Sequence, residues 1–404
     1  MFQVALFRLR DFRCLGASVL LNSVGMMGEV VVLGWLTLEL TDSPFLVGVA
    51  MGMRALPLFF VGAPAGALAD RFPRHRLLMV TSAGQALTAS ALGMLTLLGF
   101  VSLAPVLALT LAAGVFRGVE HAARQSYTHD VVGGPALMPG FAVLGVAMRA
   151  GWLLGSLGVG AVIARFGSGV AYLAVAAGFL AGAAALLPAS AAAPARATSP
   201  GSGSLWRSVA AFFTAVRTDR ALLGLMLLTG GAEVLGFAHQ ALLPSMARDV
   251  LHAGPEGLGV LNGARSVGGI LGLLAAMARG STLGGGALFL VVLAFFGTSL
   301  VGLGVAPHVV GLAGVVLVLI VANAAGALAD LLAQSLLQLS VPPHLRGQAG
   351  GAWVVAIGLA PLGQLQIGAL ASLFGVSVAL GASGLGLAAL AAAGALWLPR
   401  VRRL

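Results

Sequence analysis

Glu29 with Arg54, and Glu233 with Arg265, each set an acid and a base inside a long apolar stretch. The neighbours repeat with them. Gly28, Glu29 and Val30 are answered by Ala232, Glu233 and Val234, and Gly48 and Val49 before Arg54 by Gly259 and Val260 before Arg265. An internal duplication thus carries charge twice into apolar surroundings. At a bilayer centre such a side chain costs about 2.5–3.5 kcal/mol on insertion scales, so it faces a bundle interior or a water-filled cavity. A carboxyl placed there can take a proton from one side and release it when access changes, which makes Glu29 and Glu233 proton-coupling candidates. A guanidinium there recognises paired oxygens through its planar fork, so Arg54, Arg149 and Arg265 are substrate-cavity candidates, with Trp35 and Phe237 as aromatic walls. The competing roles are static salt bridges for the charges and lipid-facing packing for the rings.

The elements that must position these residues follow from composition. Of 404 residues, 59% are hydrophobic and 8% charged, which excludes a soluble globular chain and leaves a polytopic membrane protein. Windows of about 20 apolar residues, each enough to cross a hydrocarbon core of roughly 30 Å, recur twelve times, six before residue 188 and six after residue 220. The expected fold is all-α, with twelve transmembrane helices in two parallel-repeat six-helix bundles. The expected domains are 1–187, a cytoplasmic linker with an amphipathic segment over 188–220, and 221–404. The linker is rich in Ala, Pro, Ser and Gly, and its segment from Leu205 to Arg220 sets Trp206, Phe212 and Phe213 against arginines. Parallel repeats place a substrate site between the halves near the midplane and give alternating access by rocking. The 59 glycines suit close, sliding helix contacts.

All 22 basic residues are arginine. They gather at Arg8 to Arg13, Arg71 to Arg76, Arg196 to Arg220, Arg346 and Arg400 to Arg403, while the opposite loops hold little beyond Arg165 and Arg248. The positive-inside rule then puts both termini in the cytoplasm of a bacterial inner membrane. The net charge of +10 is a topology signal and an attraction to anionic lipid, and no soluble basic domain points to nucleic acid. Further charges lie inside the spans. Arg117 and Glu120, three apart, can pair on one helix face, and Glu120 and Asp330 occupy repeat-related places that can stabilise helix ends. His121 and His239 can titrate near neutral pH or serve as hydrogen-bonded structural residues.

The loop after the second span runs from Gly66 through Asp70, Arg71 and Arg74 to Arg76. It resembles the signature of the major facilitator superfamily, Gly-x-x-x-Asp-Arg/Lys-x-Gly-Arg/Lys-Arg/Lys, departing at Pro73 and His75. The resemblance implies that Gly66, Asp70, Arg71 and Arg74 form a cytoplasmic latch whose carboxylate bonds neighbouring groups in one conformer only. The repeat-equivalent stretch, Gly272 to Gly280, has lost the acid. Three more stretches, Glu39 to Pro44, Arg54 to Pro57 and Val341 to Gly347, resemble the branch that contains the enterobactin exporter and macrolide-efflux proteins. That branch implies export of a small molecule, commonly exchanged for protons. The glycines from Gly151 to Gly160 are similar to an antiporter motif but carry Ser156 where proline is usual; a helix-packing stripe explains them equally well.

No enzyme is expected. The chain lacks a nucleotide-binding Gly-x-x-x-x-Gly-Lys-Ser/Thr, and its one cysteine, Cys14, with scattered histidines offers no zinc set. The expectation is a cofactor-free, monomeric exporter of a small amphiphilic molecule. Its partners would be that substrate, protons and the lipid bilayer. An importer on the same fold and a non-transporting sensor are the alternatives.

Overall fold

The computed structural model describes residues 6–133, 136–189, 220–279, 285–339, 356 and 358–403. Linker residues 190–219 and the Val341 to Gly347 stretch lie outside these residues. The helices are α1 (Arg10–Thr41), α2 (Pro44–Arg71), α3 (Arg74–Leu97), α4 (Leu103–Val132), α5 (Leu137–Ala184), α6 (Arg220–Gly231), α7 (Gly254–Arg279), α8 (Gly286–Val309), α9 (Gly311–Leu339), α10 (Ala360–Phe374) and α11 (Val376–Trp397). Among the described residues, nine helices are long and apolar enough to cross a membrane. One of them, Pro139–Ala184, has 46 residues. At 1.5 Å per residue it would run to roughly 70 Å, twice what a bilayer core needs. Gly167, at φ 80°, breaks it into two spans. With that break the described residues give ten spans, and α2 and α10 stand at the two remaining places of the expected order of twelve.

The residues form two compact units. The first contains Met1–Asp42, Met53–Pro200 and Gly254–Gly263, and the second Ser43–Gly52, Gly201–Ala253 and Ala264–Leu404. In the first, α1 is buried without a break from Met27 to Leu38, as expected of a helix that is apolar on all sides. Phe12, Leu15, Val19, Leu77, Leu78, Ala123 and Tyr127 close one end of its core. In the second, Phe289, Leu293, Phe296 and Leu300 of α8 and Leu380 and Leu387 of α11 are almost fully buried. Large apolar side chains such as Leu87, Val146, Val291 and Leu385 remain exposed and present the surface that lipid covers.

Lipid supplies no hydrophobic force between helices, so contact depends on small residues that let backbones meet. A Cβ on Gly297 would come within 2.7 Å of the Gly384 carbonyl oxygen, and one on Gly304 within 2.6 Å of the Ser377 oxygen. A Cβ on Gly155 would strike the Val24 carbonyl of α1, and one on Gly160 would approach the Pro255 oxygen at 2.8 Å. The Gly151 to Gly160 stretch therefore works as a packing surface. Gly158 of the same stretch faces nothing within 4 Å. Gly155→Ala is expected to destabilise the protein by about 1–3 kcal/mol through overpacking, whereas Gly158→Ala should leave it unchanged. Thermal unfolding in detergent checks both, and equal effects would contradict this packing.

Candidate functional site

In the first unit the site is built where three helices meet. Glu29, 5% exposed, lies in the buried run of α1. Arg54 of α2 approaches it, with Nε 3.7 Å from Oε2, and Arg117 of α4 donates to the same oxygen from Nη2. Arg117 Nη1 also donates to the Arg54 carbonyl at 3.4 Å, and Arg54 Nη2 to the Met26 carbonyl at 3.4 Å. Gly114 makes this possible: a Cβ there would sit 2.9 Å from the Arg54 oxygen and 2.7 Å from Pro57 Cγ. One turn of α4 later, Arg117 therefore arrives between α1 and α2. One carboxylate thus answers two guanidiniums among the described residues. Tyr172 adds a fully buried hydroxyl that has no hydrogen-bond partner among the described residues, within electrostatic reach of Glu29 and Arg54.

The pairing of Arg117 with Glu120 expected from their spacing is not the one formed. Arg117 turns across to Glu29, while Glu120 pairs with Arg124 at 3.7 Å along its own helix. Arg149 lies over the Trp152 ring, 5.6 Å from its centroid, a cation–π contact. Trp35 is buried, and its indole Nε1 donates to Glu39 Oε1 at 2.6 Å while Ser168 Oγ donates to Glu39 Oε2 at 2.6 Å. That ties α1 to the segment just beyond the Gly167 break, so Trp35 has a clamping role. At the other end, Arg74 Nη1 donates to Asp130 Oδ1 at 2.5 Å, joining the start of α3 to the end of α4. Arg71 ends α2 and is exposed. Gly66 and Asp70 lie on α2, and the Asp70 side chain is outside what the structure describes.

The second unit departs from regular helix where the repeat would copy α1. After α6 the chain forms a π-helix over Ala232–Gly236, a 3₁₀ helix over Phe237–Leu242, a short α turn at Leu243–Ser245 and a further π-helix over Met246–Val250. The sequence supplies reasons: Gly230, Gly231 and Gly236 weaken the helix, and Pro244 has no N–H to continue its ladder. Such π-turns concentrate at functional sites. The ring of His239, fully buried, sends Nδ1 to the Gly236 carbonyl at 2.7 Å. A carbonyl only accepts, so Nδ1 carries the proton and Nε2 faces the Asn323 amide at 3.4 Å. Arg265 Nη2 donates to Gln240 Oε1 at 2.9 Å. Phe237 stacks obliquely on Phe296, centroids 5.2 Å apart.

Glu233 occupies the π-helix. Among the described residues no ion pair includes it, and Asp330 of α9 is its electrostatic neighbour. The two repeat-related acids therefore differ: Glu29 is paired with two arginines, and among the described residues Glu233 is in no ion pair. Sequence reasoning missed Asp130, Tyr172, Gln240, Asn323 and the Glu39 clamp. Glu39 and Asp130 sit at span ends, where a charge needs no special account. Gln240 and Asn323 are polar interruptions of apolar runs and were visible as such.

A family model described as transmembrane secretion effector, MFS_3, matches residues 2–403. Among curated proteins, none matches the sequence. The fold is similar to that of the nucleoside transporter NupG, with TM-score 0.77, 15% identity and coverage of 95% of this chain and 98% of that one. It is similar to the peptide transporter POT, in a complex with sulfate, with TM-score 0.76, 15% identity and coverage of 97% and 95%. A bacterial homologue of the human lysosomal transporter Spinster, in an inward-facing unoccupied conformation, gives TM-score 0.71 at 13% identity, covering 99% and 95%. At these identities the likeness is one of fold.

Proposed function

Because the chain belongs to the transmembrane secretion effector family of the major facilitator superfamily, we propose that this multi-pass membrane transporter exports a small amphiphilic molecule in exchange for protons. The export direction draws on the family's description, and the resemblance of Glu39 to Pro44 and Arg54 to Pro57 to enterobactin and macrolide exporters agrees with it. The proposed setting is a bacterial inner membrane with both termini cytoplasmic. Alternating access would expose the acids to one side and then the other.

The observation that carries the proton-coupled reading is the divergence of Glu29 and Glu233. Glu29 is ion-paired to Arg54 and Arg117 and stays in place as a fixed counter-charge. Glu233 has no such partner among the described residues and lies in backbone that has left the regular α register. A carboxyl without a fixed cation can gain and lose a proton without breaking an ion pair, and so can link protonation to conformation. The two guanidiniums gathered at Glu29, with their planar forks, favour an anionic or weakly acidic amphiphile, such as a siderophore, over a cationic drug.

The test is untargeted small-molecule partition between cells and medium in a deletion strain and its complemented parent. A compound trapped inside the deletion strain is the expected result and nominates the substrate. A compound left unused in the medium would make the protein an importer.

A further inference from the structure

We propose that Arg149 and Trp152 of α5 form a subsite that binds a carboxylate-type head of the transported molecule. The glycine contacts of α5 within the first unit fix the face that carries them. Gly151 and Gly155 press on Leu20, Ser23 and Val24 of α1, and a Cβ on Gly160 would stand 2.9 Å from Gly259 Cα, on the Gly254–Gly263 segment of the same unit. At 3.6 residues per turn, Trp152 falls between these two contact directions, with Ser156 one turn on and Arg149 just under one turn back. Leu154, 56% exposed, points nearly the opposite way. Trp152 and Arg149 therefore lie on the interior side of α5 and away from its lipid side.

Three features of that face fit an oxyanion. The Arg149 guanidinium lies over the Trp152 ring, with Cζ 5.6 Å from its centroid, so a cation is held on a flat apolar support. The Trp152 indole Nε1 is enclosed, and no acceptor reaches it among the described residues. An indole N–H only donates, and when buried it normally finds an oxygen. Gly145, one turn before Arg149 on the same face, would carry a Cβ into space with nothing within 4 Å. A bound carboxylate answers all three. One oxygen accepts from Nε1, the other meets the planar guanidinium, and the attached body fills the space beside Gly145. The guanidinium acts as a fixed positive charge whatever else it touches. A neutral head leaves that charge unanswered, and an ammonium head has no acceptor for the N–H. Gly28 meets Val159, so Trp152 lies two turns, about 11 Å, nearer the start of α5 than the level of Glu29. The subsite is therefore separate from the cluster of Arg54 and Arg117.

The subsite deepens the reading of an anionic amphiphile as cargo and rests on it for its physiological use, but its binding step is measured without cargo or gradient. The full chain in lipid nanodiscs is titrated with para-fluorobenzoate, and the fluorine resonance reports binding against nanodiscs without protein. The neutral control is para-fluorobenzyl alcohol. Wild type is expected to bind the acid saturably and more tightly than the alcohol. Trp152→Phe keeps a ring under Arg149 and removes the N–H, so it should weaken the acid about tenfold, the worth of one hydrogen bond to a charged group, and leave the alcohol unchanged. No saturable binding of the acid by wild type, or equal acid affinity in wild type and Trp152→Phe, would overturn the subsite. If Trp152→Phe is not monodisperse, Arg149→Lys, which keeps the charge and loses the fork, gives the comparison: a weakened acid supports the subsite and an unchanged one rejects it. Weakened acid binding in a protein found to import its cargo, or to move it without protons, would keep the subsite and reject the export reading. Proton-coupled export with an acid affinity that Trp152→Phe leaves unchanged would keep that reading and reject the subsite.

Discussion

Glu29→Gln is expected to deplete the membrane of folded protein and to lower the thermal stability of what remains. The replacement keeps the shape and one acceptor oxygen but removes the carboxylate that, among the described residues, pairs with Arg54 and Arg117. Glu29 is 5% exposed, so little solvent can take over its role. Breaking one partner out of a buried charge group costs about 3–5 kcal/mol, chiefly because the remaining charge is left uncompensated. Here two guanidiniums would remain. The same reasoning predicts partial rescue by Arg117→Gln in the Glu29→Gln background, since one of the two stranded charges is then gone. Detergent-extracted yield and unfolding temperature report both effects. Wild-type stability in Glu29→Gln, or no recovery in the double variant, would contradict the ion-pair account.

The opposite profile is expected for Glu233→Gln. Among the described residues no cation pairs with Glu233, so neutralising it should change stability by no more than about 1 kcal/mol. Transport driven by a pH gradient should fall to the level of protein-free liposomes, because the variant cannot carry the proton whose release selects one conformer. Exchange of labelled for unlabelled substrate without a gradient should persist, since that reaction needs no net proton movement. The two acids, equivalent in the repeat, thus separate into one whose loss unfolds and one whose loss uncouples. If Glu233→Gln also abolished gradient-free exchange, the glutamate would be acting on the substrate directly.

The repeat that pairs Glu29 with Glu233 is legible because backbone topology copies local sequence, and twelve spans are legible because lipid demands apolar length. Partners across helices were less visible. The three-residue spacing of Arg117 and Glu120 suggests a pair, yet Gly114 draws α4 against Arg54 and Pro57 and sends Arg117 to α1. That decision is made by interhelical distance, which no single-helix pattern encodes. The irregular turns from Ala232 to Val250 leave no mark in hydropathy, which is blind to hydrogen-bond register. Gly236 and Pro244 were the available signals. Trp35 was placed as a cavity wall by its aromatic character, while its indole N–H is engaged by Glu39 one turn further along α1.

The most direct test of proton-coupled export is made in proteoliposomes holding a trapped pH indicator, using the compound that accumulates in the deletion strain. Imposing a gradient of that compound should move protons in the opposite direction with wild-type protein and move none with Glu233→Gln. Movement of the compound by wild-type protein with no accompanying proton signal would contradict the account.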